Sequence, residues 1–328
     1  LEVQRLDKRI KRIGVLASGG DTPGMNAATR AIVKVAEEEG IEVFGIMYGF
    51  RGLMEGRTML LDGERVSNIG HKGGTILKTS RSLEFMQTEG QLKAVAMAQA
   101  AGIGGIITIG GDGTMRGAAA LSLHGVPTTT LPGTIDNDLA YTDYTIGFDT
   151  AVNGVIIELI KVRDTMVSHD RIGVVEVMGN KCGDIALYAG LAGAMDYILL
   201  PEVPFDLDEI CNDLSRKSLK GEFSAMIVVS EGIGKGEDVA RYIRERTHLD
   251  TKSVVLGHTQ RGGSPTARDR NIAAQMGAHA VRLLVKGIGN RAVGIKGEKI
   301  VDMDIMEALD EPKVFRKDLY DLACTLVR

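Results

Sequence analysis

Tryptophan is absent from the 328 residues, and aromatic residues make up only 4% of them. The interior must therefore be aliphatic, and the surface offers few faces on which nucleic-acid bases could stack. A formal net charge of −4 also lacks the cationic footprint that a nucleic-acid partner demands. Cysteine is scarce: Cys182, Cys211 and Cys324 lie far apart and form no Cys-x-x-Cys. That odd, scattered count excludes a disulfide framework and a cysteine zinc site, and points to a reduced, cytoplasmic setting. Leu1 to Lys11 has no apolar core, so no secretory signal is expected. Long apolar runs are missing too. The uncharged run Ala94 to Gly111 contains Gln99 and five glycines. It reads as a helix end, a turn and a buried strand, and no membrane partner is expected. There is no Gly-x-x-x-x-Gly-Lys-Ser/Thr, which excludes a P-loop nucleotidase. Gly287 to Ala292 matches a dinucleotide pattern by letter, but it follows a helix and precedes a strand, so it reads as a loop.

What is present is an α/β alternation, with 44% hydrophobic residues and a length that suits two domains. Lys11 to Ser18 reads as a strand ending in Gly19-Gly20-Asp21, followed by a helix towards Glu39 and a strand over Ile41 to Met47. Gly105 to Ile109 repeats the strand, and Gly110-Gly111-Asp112-Gly113-Thr114 opens the next helix. Such units build mostly parallel, doubly wound sheets, with ligands outside the carboxyl ends of the strands. Further strands are expected at Arg171 to Val177, Tyr197 to Leu200, Ala225 to Ser230 and Val254 to Gly257. Helices are expected over Ala151 to Ser168 and Ala267 to Lys286, a hairpin around Gly297, and a helical tail.

The chemistry concentrates at strand ends. The run Val126 to Leu131 is broken by Pro132 and Gly133, and then Thr134-Ile135-Asp136-Asn137-Asp138 sets two carboxylates two residues apart. In an extended segment both acids would face one side, and their repulsion would make one of them a general base. Taken alone the stretch is equally a solvated Asx-rich turn. Glycines at the two strand-to-helix turns let backbone N–H groups approach phosphate oxygens, and an aspartate there makes sense at Mg²⁺. Lys78 to Ser82, His169 to Arg171, Lys252 and His258 to Arg261 are basic candidates for clamping phosphates.

Together, Ile13 to Asn26, Ile109 to Thr114, Pro132 to Asp138, Val174 to Gly179 and Leu256 to Pro265 resemble the bacterial 6-phosphofructokinases of glycolysis, in order and over essentially the whole chain. The resemblance implies two similar Rossmann-like three-layer α/β domains with mostly parallel sheets. The larger, ATP-binding one would cover residues 1–147 plus 260–310, and the smaller, sugar-phosphate-binding one 148–259 plus 311–328. The reaction implied moves the γ-phosphoryl group of ATP to the 1-hydroxyl of fructose 6-phosphate. Asp136 would be the base, with Thr134 and Asp138 arranging acceptor and metal, and Arg81 assisting. Gly20, Arg81, Ser82, Gly111, Gly113 and Thr114 would bind ATP, and Asp112 would lie at Mg²⁺. Met178, Gly179, Asn180, Glu231, His258 and Arg261 would hold the sugar phosphate. Arg171 and Lys252 would reach its 6-phosphate from a neighbouring subunit of a homotetramer.

Three positions outside the effector site depart from the family pattern. Asn180 and Lys252 stand where arginine is usual, and Phe50 where a tyrosine is common near the adenine. At the family's effector site Arg30, Lys34, Arg163 and Lys220 keep positive charge, and Asp196 replaces a glutamate. Gly63 and Glu222 replace an arginine and a lysine, so weak or altered effector control is expected. Pyrophosphate-using relatives typically have Asp at 113 and Lys at 133; both are glycine here, which is read as room for ATP. A non-catalytic regulatory subunit would lack the base or the metal carboxylate, yet Asp136, Asp138 and Asp112 are all present. A nicotinamide dehydrogenase would need its glycine fingerprint after a strand.

Overall fold

The computed structural model describes residues 10–327. Most of the charged N-terminal stretch read above lies outside the described residues. The strands are β1 (Arg12–Ala17), β2 (Glu42–Ile46), β3 (Thr58–Leu61), β4 (Gly105–Gly110), β5 (Thr128–Pro132), β6 (Ile172–Val177), β7 (Tyr197–Leu199), β8 (Ala225–Ser230), β9 (Thr251–Val255), β10 (Arg291–Lys296) and β11 (Lys299–Asp304). The helices are α1 (Met25–Glu38), α2 (Gly49–Met54), α3 (Thr88–Ala100), α4 (Asp112–Leu123), α5 (Phe148–Ser168), α6 (Asp184–Ala192), α7 (Leu207–Leu219), α8 (Gly236–Thr247), α9 (Ala267–Val285), α10 (Ile305–Asp310) and α11 (Lys317–Val327).

Two compact units result. The first runs to Thr134 and adds Leu139–Asp149 and Arg261–Lys313; the second comprises Ile135–Asp138, Thr150–Gln260 and the chain from Val314. The division differs from the expected boundaries chiefly at Ile135–Asp138, which joins the second unit, where Asn137 bonds to Asp184.

In the first unit seven strands form one sheet in the order β11-β10-β5-β4-β1-β2-β3. The interior pairs are parallel, and only the β2–β3 and β10–β11 edges are antiparallel. Alternation along β1 sends Ile13, Val15 and Ala17 to a core shared with α1 and α9, and Leu16 to the opposite core beneath α2 and α3. β1 pairs with β2 on one side and β4 on the other, so the strand order reverses between β1 and β4. That reversal opens a crevice at their carboxyl ends.

The second unit has a four-stranded, all-parallel sheet, β7-β8-β6-β9. Near-continuous apolar strands such as Ala225–Ser230, buried throughout, are what a sheet covered on both faces requires. Val174, Ile227 and Val229 meet α7 and α8 on one face. Among the described residues no helix is long and apolar enough to cross a membrane.

Candidate active site

The switch point is built around glycines. Ser18 follows β1 and donates its N–H to the Ile109 carbonyl at 3.1 Å. Gly19 then takes φ 84°, a left-handed conformation that glycine adopts without strain. At Gly110 a Cβ would lie 2.3 Å from Thr114 Oγ1 and 2.4 Å from the Ser18 carbonyl oxygen, so a side chain is excluded. The Thr114 hydroxyl donates to that carbonyl at 3.0 Å and is buried. Thr114 thus staples the two loops with its side chain, while its backbone N–H donates to the Gly111 carbonyl at 3.0 Å. Asp112 and Gly113 are exposed in the first turn of α4, where N–H groups lack intrahelical acceptors and the helix dipole favours an anion.

Arg261 belongs to this same place. Its Nη1 and Cζ would be 3.2 Å and 3.3 Å from a Cβ at Gly20, so the guanidinium lies over the β1 loop. The loop at 79–82 adds to it: Thr79 Oγ1 donates to the Gly19 carbonyl at 2.7 Å, and Ser80 Oγ to that of Tyr48 at 3.0 Å. Arg81 is exposed, while the Ser82 hydroxyl accepts the Phe85 N–H at 3.2 Å. Phe50 does not present a face to an adenine. It is 5% exposed, stacks on Phe85 with centroids 4.1 Å apart, and presses against Gly117.

After β5 the chain turns as expected, but for another reason. Gly133 N–H donates to the Gly110 carbonyl at 3.0 Å. A Cβ at Gly133 would lie 2.9 Å from Ile109 Cγ2 and 3.1 Å from the Gly110 nitrogen. Glycine there is demanded by packing against β4, which corrects the idea that it merely leaves room for ATP; Gly113, whose Cβ would meet nothing within 4 Å, keeps that reading. The Thr134 carbonyl accepts the Thr145 hydroxyl at 2.6 Å. Asp136 and Asp138 are half-buried, each with one carboxylate oxygen shielded from solvent. The segment between them is not extended. Asn137 has φ 52°, so the argument from strand alternation fails, and the acids are directed by a tight turn. Asn137 Nδ2 donates to Asp184 Oδ2 at 2.8 Å.

In the second unit the loop after β6 carries Met178, Gly179 and Asn180. The Glu231 carboxylate accepts the N–H of Gly179 at 3.2 Å and of Asn180 at 2.8 Å, and Gln260 Oε1 accepts that of Met178 at 3.2 Å. Glu231 therefore shapes this loop whatever else it holds. The side chains of Asn180 and Lys181 are exposed. The strand expected at Val254 to Gly257 instead ends at Val255, because Gly257 turns left-handed at φ 51° into a 3₁₀ turn that exposes His258.

Arg171 and Lys252 sit at the other end of the sheet. They flank the amino ends of β6 and β9, while Met178 and Glu231 follow carboxyl ends. A six-residue strand spans about 20 Å. Both cations bind one carboxylate: Lys252 Nζ is 2.8 Å from Asp250 Oδ1 and Arg171 Nε 2.5 Å from Oδ2. Lys252 and Arg171 together hold the Asp250 carboxyl below its usual range.

The residues expected at an effector site are engaged locally. Lys34 pairs with Glu37 at 3.2 Å, and Glu37 accepts the Gly63 N–H. A Cβ at Gly63 would be 1.8 Å from Lys34 Nζ, so this ion pair fills the space of the missing arginine. Arg30 is exposed on α1. Arg163 donates to the carbonyls of Gly193 and Ala194 at 2.7 Å and 2.5 Å, closing the end of α6, and Asp196 accepts the Met226 N–H at 2.8 Å. Lys220 and Glu222 are exposed beyond α7.

Several supports escaped the sequence reading. Asn26, 2% exposed, donates to the carbonyls of Lys72 and Gly73 and accepts the Ile76 N–H, pinning that loop to α1. Thr22 Oγ1 donates to the Ile146 carbonyl at 2.8 Å, and fully buried Asp269 accepts the Gly147 N–H at 2.8 Å. The Thr266-x-x-Asp269 spacing of a helix cap was the available signal. Among the described residues no three His, Cys, Asp or Glu side chains cluster as a metal cage.

Comparison with known proteins agrees with this layout. The family described as phosphofructokinase matches residues 12–284. An ATP-dependent 6-phosphofructokinase of Clostridium botulinum (strain Hall) is 50% identical over 97% of this chain and 99% of its own. One from Alkaliphilus metalliredigens is 51% identical over 96% and 98%. The solved phosphofructokinase from Saccharomyces cerevisiae superposes with a TM-score of 0.84 at 34% identity, over 96% of this chain but only 46% of the yeast one. With its family pattern, its bacterial relatives and its fold in agreement, the chain belongs to the phosphofructokinase family.

Proposed function

We propose that the chain moves the γ-phosphoryl group of MgATP to the 1-hydroxyl of fructose 6-phosphate, giving fructose 1,6-bisphosphate and ADP in glycolysis. The observation that carries this reading is the half-buried acid turn at Asp136 and Asp138, which follows β5, the strand paired with β4. In the step, Asp136 takes the hydroxyl proton as the sugar oxygen bonds to phosphorus and the bond to the ADP oxygen breaks. Thr134 and Asp138 arrange the acceptor. Such a transfer needs little covalent chemistry from the protein, but in-line positioning and charge neutralisation.

Gly20, Arg81, Ser82, Gly111, Gly113 and Thr114 line the ATP phosphates in this reading. Arg261 stands over Gly20, so its guanidinium serves the negative charge gathered at that loop, a bidentate task suited to arginine. Asp112 suits Mg²⁺: one exposed carboxylate without a cage matches an ion that keeps waters and shares substrate phosphates. Bound there, the ion would neutralise phosphate charge. Met178, Gly179, Asn180, Glu231, His258 and Arg261 receive the sugar phosphate. The position of Arg171 and Lys252, a strand length from that loop, supports their service to a neighbouring subunit's ligand and a homotetramer. Cysteines that form no disulfide among the described residues suit a cytoplasmic enzyme.

A coupled assay of fructose 6-phosphate with ATP or with pyrophosphate tests the reaction. Asp136→Asn tests the base: kcat should fall about 10²–10⁴-fold with binding nearly intact. A variant with near-wild-type kcat would remove Asp136 from that role.

A further inference from the structure

Asp184 is a buried carboxylate that the reading above leaves without a task. It is 3% exposed and is the first residue of α6, whose amino end favours an anion. One partner of it is Asn137, 2% exposed, the residue between Asp136 and Asp138. Asn137 holds φ 52°, a conformation that asparagine tolerates better than most side chains do. A left-handed residue between two acids fixes where both point.

Asp184 also ends the loop that begins at Met178. Within that loop Glu231 holds the N–H groups of Gly179 and Asn180, the Gly179 carbonyl accepts the Cys182 N–H at 2.8 Å, and Glu202 accepts that of Gly183 at 2.8 Å. One end of this braced loop thus presents the residues assigned to the sugar phosphate. The other grips the turn that carries the assigned base.

We infer that Asp184 is a positioning residue: through Asn137 it fixes the Asp136–Asp138 turn in register with the 178–183 loop, so that base and sugar-phosphate loop are held as one piece. The inference rests on Asp136 being the base. The polarity of the pair is definite, since an amide N–H donates and a carboxylate only accepts. Asn137→Asp would set two carboxylates against each other, and Asp184→Asn on top of it would restore one donor and one acceptor with the direction reversed.

The test is steady-state kinetics with thermal unfolding on four variants of the full chain. Asp184→Ala should lower kcat about 10²-fold, as a misplaced reacting group does, with the KM for ATP within about threefold. Asp184→Asn keeps a neutral acceptor and should lose about tenfold or less. Asn137→Asp should lose at least as much as Asp184→Ala. The double variant Asn137→Asp/Asp184→Asn should recover at least about tenfold over Asn137→Asp alone. Should Asp184→Ala fail to fold, the two isosteric variants and their combination still decide. A double variant no better than Asn137→Asp, or a folded Asp184→Ala with near-wild-type kcat, overturns the inference. Asp136→Asn separates this from the underlying reading: if it loses kcat while the Asp184 and Asn137 variants do not, only the positioning role falls.

Discussion

Two glycines separated by twenty residues allow a sharp test, because the structure gives them opposite reasons to be glycine. At Gly113 an added Cβ meets nothing within 4 Å, and the residue is exposed in the first turn of α4. Gly113→Ala should therefore keep or raise Tm, alanine being favoured over glycine in a helix by about 1 kcal/mol. Gly113→Asp should also fold, but it would set a carboxylate where the reading places the nucleotide phosphates. Two like charges about 4 Å apart repel by about 1 kcal/mol in water and about 4 kcal/mol at an effective dielectric constant of 20. The expected loss in kcat/KM for ATP is thus between about fivefold and about 10³-fold. Gly133→Ala should do the reverse. Its Cβ would press on Ile109 Cγ2 and on the backbone nitrogen of Gly110, which cannot swing away because Gly133 is itself bonded to the Gly110 carbonyl. Overpacking of this kind costs about 1–3 kcal/mol. At about 2–4 °C per kcal/mol, Tm should fall by about 2–12 °C. Differential scanning calorimetry and coupled kinetics read the two effects separately. Gly133→Ala with an unchanged Tm would refute the packing argument, and Gly113→Asp with kcat/KM for ATP within twofold of wild type would remove Gly113 from the phosphates.

ATP should exceed pyrophosphate as donor in kcat/KM, and equal or better use of pyrophosphate would contradict the assignment. Asn180→Arg should raise kcat or lower KM, a charged hydrogen bond being worth about 1.5–3 kcal/mol; if Lys181 already supplies that charge, the gain should appear only with Lys181→Ala. Arg171→Ala and Lys252→Ala should each raise the KM for fructose 6-phosphate and leave Tm nearly unchanged, since exposed ion pairs contribute about 0–1 kcal/mol; an unaltered saturation curve would exclude them from the substrate. Phosphoenolpyruvate or ADP at millimolar levels should barely shift half-saturation by fructose 6-phosphate, and Glu222→Lys should strengthen the shift. A large shift in the unaltered chain would refute the loss of control.

The fold was legible wherever glycine and proline punctuate apolar runs. Gly19 lies just past β1, Gly110 ends β4, Pro132 ends β5, and Gly297 turns the hairpin of β10 and β11. The short pieces α2 and β3 were not legible, because six and four residues carry too little periodicity to stand out. The acid turn could be located but not shaped. Its left-handed Asn137 is held by a residue 47 positions away, and no local pattern encodes such a partner. Asp269 was half legible: its place at a helix cap follows from spacing, while its bond to the Gly147 N–H spans 122 residues.

Glycine shows most clearly why the remainder was hidden. Gly19 serves a left-handed backbone, Gly20 a guanidinium resting over it, Gly110 and Gly133 the close approach of neighbouring chain, and Gly113 an open surface. All five carry the same letter at strand or helix ends, and in sequence all five suggest room for a phosphate. Only the nearest atoms separate a missing side chain that admits a ligand from one that admits another part of the fold. At Gly63 the same distinction sharpens an electrostatic argument: the absent arginine leaves no hole, because Lys34 and Glu37 have closed over it, and Lys34, which keeps its charge, is already paired. Counting charges by position therefore overstates what an effector phosphate can find there, and the weakened control expected from Gly63 and Glu222 extends to Lys34.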